Sequence, residues 1–578
     1  MKKQQKTIII LLTCSIAVVL YLLSIRLAYP VFQNTRLMDP LAEVHILFPL
    51  YYIAIALIAL AGFTCFAWRI NNKSLNILVL LLLGIMLWYT PYYMAEFSRN
   101  PDVARDIGIA LYAPGILSGD AVVLSGYCAN YPSSYLLTWL FIHTTGIEPL
   151  EYVHLFPLLY IGIFIILGYA FISRLFNQRV AFLAMLITIP GLHYAIFYAS
   201  AHSIGVLLTM TTLVLLFRKG AVFKALTVVA ITATIICHPI SPLIVSIFIA
   251  AALLTSYRGS IGRTQLFLTV MLVLCFVGWF IWPAAPLVST TAIEATPEKM
   301  GLSGDTGTQA EMMYQRVTPE TLDTTRQYLS GKPFIYGGIH KLNLFVYFLY
   351  ALLAAAGIMY IVTVEYYRRK SIRHFLLRFG GLNRNQLFLI LSGVLLFVLT
   401  ILLAESDHVL LERSLTFLIL VLSCLIASVI IELYYSGVLV KLLSAIVVGA
   451  VLFLTLSFPV VTYSIEAYTN FPASEKVALE FIADDVLVEQ KTISTSFSGQ
   501  LLLFTFNFIR QPMSEEDISE GTEVIAFRST GYYYTAMRHE LSFEDNSFTR
   551  YREAVADYTG YDKVYLNPTT EIFIRADD

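Results

Sequence analysis

Thirteen stretches of this chain are apolar for about the length a helix needs to cross a bilayer, and this limits the fold more than any motif. Crossing about 30 Å of hydrocarbon takes about 20 residues at 1.5 Å each. The stretches are 7–27, 45–68, 75–95, 151–173, 180–197, 199–217, 222–238, 241–256, 264–283, 342–365, 386–404, 412–434 and 438–462. The run 222–256 is divided at His238-Pro-Ile-Ser-Pro, where two prolines remove two backbone donors. Apolar residues make up 58% of the 578 and charged residues 13%. A soluble domain carries about 25% charged residues, so too few polar side chains are present to cover water-facing surfaces. A cytosolic enzyme and a disordered chain are both excluded. With a net charge of −1 there is no basic footprint for nucleic acid. The expected fold is an all-α polytopic membrane bundle of about thirteen transmembrane helices.

Lys and Arg in the connections set the orientation. With the N-terminus in the cytoplasm, the inner connections hold nineteen basic residues, among them Arg69, Arg174, Arg179, Arg218 and the Arg368–Arg384 cluster. The far longer outer connections hold about ten. The first stretch follows Met-Lys-Lys-Gln-Gln-Lys and has no small-x-small cleavage site behind it, so it reads as a retained anchor. Six cysteines show no C-x-x-C spacing, and only Cys128 falls in a polar loop, so neither a zinc site nor a disulfide framework is expected.

This layout gives two N-terminal helices (1–74), a transmembrane core (75–464) with outer loops 96–150 and 284–341, and a C-terminal segment (465–578). The last changes composition, with twenty Asp/Glu against nine Lys/Arg. It reads as a small extracytoplasmic α/β domain. A capped helix is expected from Ser474, and a hairpin around Asn567-Pro568.

No Lys, Arg, Asp or Glu lies near the centre of a span; Arg26, Glu96, Glu365 and Glu432 all sit near ends. Coupled transporters usually carry a midplane ionisable group or a broken helix, so polar chemistry is expected at the outer face. There Arg99-Asn-Pro-Asp-Val-Ala-Arg-Asp follows the third span directly. Pro101 suits a first helical turn, and Asp102 and Asp106, four apart, share one face with Arg105 beside them. Such a pair can act as general base, metal ligand or both; it can equally complement the helix dipole. Tyr131 opens Tyr-Pro-Ser-Ser-Tyr, the start of an apolar helix too short to span. His202 and His238 sit at outer helix junctions, open either to a shared cavity or to plain backbone hydrogen bonding. Asp407-His408 precedes Glu412-Arg413 at the mouth of a late helix, and Arg316, Arg326, Lys332 and Lys341 dot the second outer loop.

The succession of acidic helix, Tyr-Pro-x-x-Tyr helix, Gly146, acidic-led span Glu148-Pro-Leu-Glu and basic exit Ser173-Arg resembles the GT-C superfamily. These membrane glycosyltransferases use polyprenyl-phosphate-linked sugars and include protein O-mannosyltransferases, oligosaccharyltransferases and aminoarabinose transferases. The resemblance covers residues 75–220 and, by topology, the remaining spans; Arg413 echoes a basic residue that members place near a late outer mouth. Two features depart from the pattern. Members often carry adjacent acidic residues, or Asp then His, where this chain has Asp106, and two helices precede the core.

The resemblance implies inverting transfer to an extracytoplasmic glycan, lipid or protein acceptor in the plasma membrane. Asp102 is then the base, and Asp106 orients the acceptor or shares a divalent cation with it. Arg413, Arg105 and His408 bind phosphate, and Tyr131, His202 and His238 line the cavity. No other cofactor is implied. Two rivals remain at this point: a polysaccharide polymerase or ligase relying on outer-loop arginines, and a non-catalytic scaffold or lipid-carrier transporter.

Overall fold

The computed structural model describes residues 3–34, 42–47, 49–95, 131–192, 197–218, 220–238, 240–256, 345–360, 384–406, 408–436 and 440–463, with five strands between 493 and 575 and isolated residues elsewhere. Apart from Phe267, the expected span 264–283 lies outside the described residues, as do the loop 284–341 and the helix from Ser474.

The helices are α1 (Lys3–Asn34), α2 (Ala42–Ile46), α3 (Pro49–Ala67), α4 (Lys73–Gly84) and α5 (Thr90–Met94). A π-helical turn, Ile85–Tyr89, joins the last two. Then come α6 (Ser133–Thr145), α7 (Pro149–Leu175), α8 (Gln178–Gly191), α9 (Ala201–Leu216), α10 (Ala221–Ile235) and α11 (Ile240–Ser256). The series ends with α12 (Phe345–Tyr360), α13 (Arg384–Ser406), α14 (His408–Ser436) and α15 (Val440–Phe458), the last closed by a second π-turn, Pro459–Tyr463. Among the described residues five helical segments are long and apolar enough to span, with seven shorter apolar ones beside them. The chain is a multi-pass membrane protein built as a helical bundle.

Helix α8 is the hub. It packs against α3, α4, α7, α14 and α15, and every residue from Val180 to Gly191 is buried. A helix apolar all round belongs in the interior, and this one begins where the Asn177 side chain accepts the Arg179 and Val180 N–H groups. It stops at Pro190-Gly191, earlier than the apolar run to 197 predicts. Gly191 is required there, because a Cβ would collide with the Tyr350 hydroxyl.

The third span is pinned at its π-turn. Pro91 lacks the N–H that the Leu87 carbonyl would accept in an α-helix, or the Met86 carbonyl in π register. Side chains replace the missing donor. Tyr463 donates to the Leu87 carbonyl at 2.6 Å, and Thr90 to the Met86 carbonyl at 2.6 Å. Tyr51 lies 2.7 Å from both the Met86 carbonyl and the Tyr463 hydroxyl. Tyr21 completes the chain, 3.0 Å from Thr90 Oγ1. Spans one, two, three and the last are thus joined by hydroxyls in a region where an unpaired carbonyl costs several kcal/mol.

The described residues of the C-terminal segment form a mixed sheet in the order β2-β1-β3-β5-β4. The strands are β1 (Ile493–Thr495), β2 (Arg510–Gln511), β3 (Val524–Arg528), β4 (Tyr561–Leu566) and β5 (Thr570–Arg575). The expected hairpin is present: β4 and β5 pair antiparallel across Asn567-Pro568, with Leu566 opposite Glu571.

Candidate functional site

Three chain segments meet around two histidines. Ser200 is extended (φ −149°, ψ 160°) and its Oγ accepts the Ser203 N–H at 3.2 Å, which starts α9 and sets His202 in its first turn. Helix α10 ends at Ile235 and α11 begins at Ile240, and His238 lies in the break between them. Its Nδ1 accepts the Ile240 N–H at 3.3 Å, so the neutral ring carries its proton on Nε2 and presents a donor there. Both imidazoles are buried, with centroids 5.2 Å apart and planes at 61°. The Cys237 thiol donates to the Ala201 carbonyl at 3.4 Å, tying the break to α9.

Close approach of these pieces depends on Gly205. A Cβ there would lie 2.5 Å from Ser241 Oγ and 3.1 Å from His238 Cβ. The third segment is the start of α6, where the Ser133 N–H donates to the Ile236 carbonyl at 3.2 Å. Tyr131 is therefore two residues from the break; it is half-buried, and burial pushes its phenol above the ordinary range, so it remains a proton donor at neutral pH. The buried Ser134 hydroxyl has no hydrogen-bond partner among the described residues. Trp88, in the π-turn, donates to the Ile189 carbonyl at 3.0 Å and stacks on Phe197 at 4.4 Å, fixing the stretch that leads to His202.

His202 and His238 thus come together, and Tyr131 lies two residues before the Ser133 contact to the same break. The serines around them, Ser133, Ser134, Ser200, Ser203 and Ser241, were not singled out in the sequence; the Ser cap before an apolar run was the available signal for Ser200.

The acidic helix is described at Val103, Asp106, Ile107 and Ala110, all helical and all buried, with Asp106 6% exposed. These are positions i, i+3, i+4 and i+7, one face of a helix. Asp106 therefore points inward from a buried stripe and is not without an interaction partner. An Asp is almost never this buried unless paired. Asp102 and Arg105 lie outside the described residues. Arg413 and His408 sit in the first two turns of α14, their backbone helical. No three of His, Cys, Asp and Glu converge among the described residues; of the expected Asp102 and Asp106 pair, only Asp106 is among them.

A multi-span helical bundle with a polar cluster at a helix break, and a buried carboxylate beyond its third span, is the class of protein these observations define. No family model and no curated protein matches the sequence. Solved structures similar to the chain include ArnT from Cupriavidus metallidurans bound to undecaprenyl phosphate. It is 12% identical, with a TM-score of 0.48, over 86% of this chain and 97% of that one. The archaeal oligosaccharyltransferase AglB from Archaeoglobus fulgidus, in complex with an inhibitory peptide and a dolichol-phosphate, is also similar. It is 12% identical, with a TM-score of 0.48, over 88% of this chain and 75% of that one.

Proposed function

We propose that this chain is a membrane glycosyltransferase that moves a sugar from a polyprenyl-phosphate-linked donor to an acceptor outside the cytoplasm. The observation that carries the reading is the buried, inward-facing Asp106 on the stripe Val103, Asp106, Ile107 and Ala110, immediately beyond a span. Asp102, four residues earlier in the sequence, is assigned to the same face by that spacing.

In this reading the acceptor hydroxyl oxygen attacks the anomeric carbon as the bond to the carrier phosphate breaks, inverting the configuration. Asp102 takes the acceptor proton in that step, since an alcohol does not ionise at neutral pH. Asp106 orients the acceptor. Charge builds on the leaving phosphate, and cations placed at that point stabilise its departure; Arg413, Arg105 and His408 are assigned to it, with Arg413 suited to bidentate pairing. Tyr131, the Nε2–H of His238 and the neighbouring serines supply donors for sugar hydroxyls. The N-terminus lies in the cytoplasm and the acidic C-terminal α/β domain outside, available for acceptor recognition.

The test is genetic and chemical. Cells lacking the gene should lose one envelope glycan and accumulate its polyprenyl-phosphate sugar, both measured by mass spectrometry. Wild-type protein should restore the glycan, whereas Asp102→Asn and Asp102→Ala, at equal membrane abundance, should lower transfer at least about 100-fold, the scale of positioned acid–base catalysis. Restoration by Asp102→Ala would overturn the proposal; dependence on Arg316 and Arg326 instead would point to polymerase or ligase chemistry.

A further inference from the structure

A cavity of about 200 Å³ lies between α8, α12, α14 and α15, away from the histidine cluster. Ile187 and Tyr350 are among the residues that line it. The Tyr350 hydroxyl is already spent, donating to the Ile187 carbonyl at 2.6 Å, and apart from Tyr360 the rest of the lining is apolar. An engineered apolar cavity of about 150 Å³ stays dry and takes up benzene. Water is therefore not the occupant of this one.

Its depth and its mouth name the surrounding solvent. Val429, in the wall, is 21 residues from the start of α14 and seven from its end, so it lies roughly 30 Å and 10 Å from the two ends. Ala450 sits near the middle of α15. Both depths fall within hydrocarbon. On α12, Val346, Tyr350, Ala354 and Gly357 turn inward while Leu352 and Met359 face out, Met359 being 69% exposed. Two lining residues, Ala356 and Ile446, belong to that outward surface, Ile446 being 53% exposed. The cavity is thus continuous with the outward-facing apolar surface of α12 and α15.

We infer that this cavity is a binding site for the end of one acyl chain of a bilayer phospholipid, held as a wedge between α12 and α15. Hydrocarbon meeting an apolar void gains the dispersion contacts that its lining otherwise lacks. Bilayer phospholipid is the solvent of that outward surface, and its acyl chain is therefore taken as the occupant in preference to the polyprenyl carrier. The inference depends only on the chain spanning a membrane and not on the proposed transfer.

The protein is reconstituted in phosphatidylcholine vesicles containing a trace of phosphatidylcholine with a diazirine at the chain end, irradiated, and mapped by peptide mass spectrometry. Labelling at Ala356, Gly357 and Ile446 is expected several-fold above that at Ile163 and Ile166, exposed residues of α7. Gly357→Leu fills the cavity, its Cβ meeting Val429 alone, with Cγ2 at 3.4 Å and Cβ at 4.0 Å, and should abolish the excess; Ile446→Trp, at the mouth, should do the same if the first variant does not fold. Equal labelling at α7, or an excess untouched by a folded variant, overturns the inference. So does displacement of the label by equimolar polyprenyl phosphate, which would make the carrier the occupant. Loss of transfer with the label intact would leave this site standing and remove only the proposed activity.

Discussion

At the residue scale, the histidine cluster depends on side chains that are absent as much as on those present. Gly205 leaves the space that the Ser241 side chain and the His238 Cβ occupy. Gly205→Val should destabilise the protein by about 1–3 kcal/mol, the usual range for overpacking, and thermal unfolding in lipid nanodiscs measures it. Gly205→Ala should fall lower, since the Ser241 hydroxyl can rotate away. The two rings were individually legible in the sequence, His202 from its Ser-flanked junction and His238 from its prolines. Their 5.2 Å separation was not. Nothing local to either residue encodes which helix break will face which helix start. Asp106 was legible by its spacing from Asp102; its burial follows from the apolar residues that share its face, Val103, Ile107 and Ala110.

Elements were easier to read wherever length alone decides. Expected 241–256 is observed as Ile240–Ser256, and expected 45–68 as Pro49–Ala67, because an apolar run bounded by polar or proline residues has few alternatives to a helix in lipid. The π-turns were invisible. A single extra residue per turn does not disturb hydropathy in a run that is apolar on all sides. The partner of Tyr51 lies 412 residues away, a distance at which sequence pattern says nothing. The network predicts an asymmetry. Tyr463→Phe strips the Leu87 carbonyl of its hydroxyl donor and should cost about 1–3 kcal/mol, the price of a buried unsatisfied group. Tyr51→Phe should cost clearly less, because Thr90 still serves the Met86 carbonyl. Unfolding of the two variants side by side checks this, and equal losses would contradict the proton assignment.

On the scale of the whole molecule, the charge bias makes a claim about sides. Phosphatase reporters fused after residues 120 and 530 should be active, as they are only outside the cytoplasm, and a fusion after residue 372 should be silent. The opposite pattern would move the acidic helix to the cytosol and remove the proposed site. Composition alone was enough to read a lipid-embedded bundle, because 13% charged residues admit little else. How the helices pack was beyond it. Among the described residues α3, α4, α7, α12, α14 and α15 all touch α8, and that arrangement comes from shape matching among side chains of nearly equal hydropathy.

The position of α8 has a bearing on biogenesis. Two of the helices that enclose it, α14 and α15, begin at residues 408 and 440, more than 200 residues further along the chain. While the ribosome is still making the intervening spans, this short central rod has one flank closed by α3, α4 and α7 and the other facing lipid or whatever escorts nascent membrane proteins. Insertion of the final two spans therefore completes a slot opened much earlier. A chain that stops before residue 384 should be inserted and then degraded, since its middle would have been built around neighbours that never arrive.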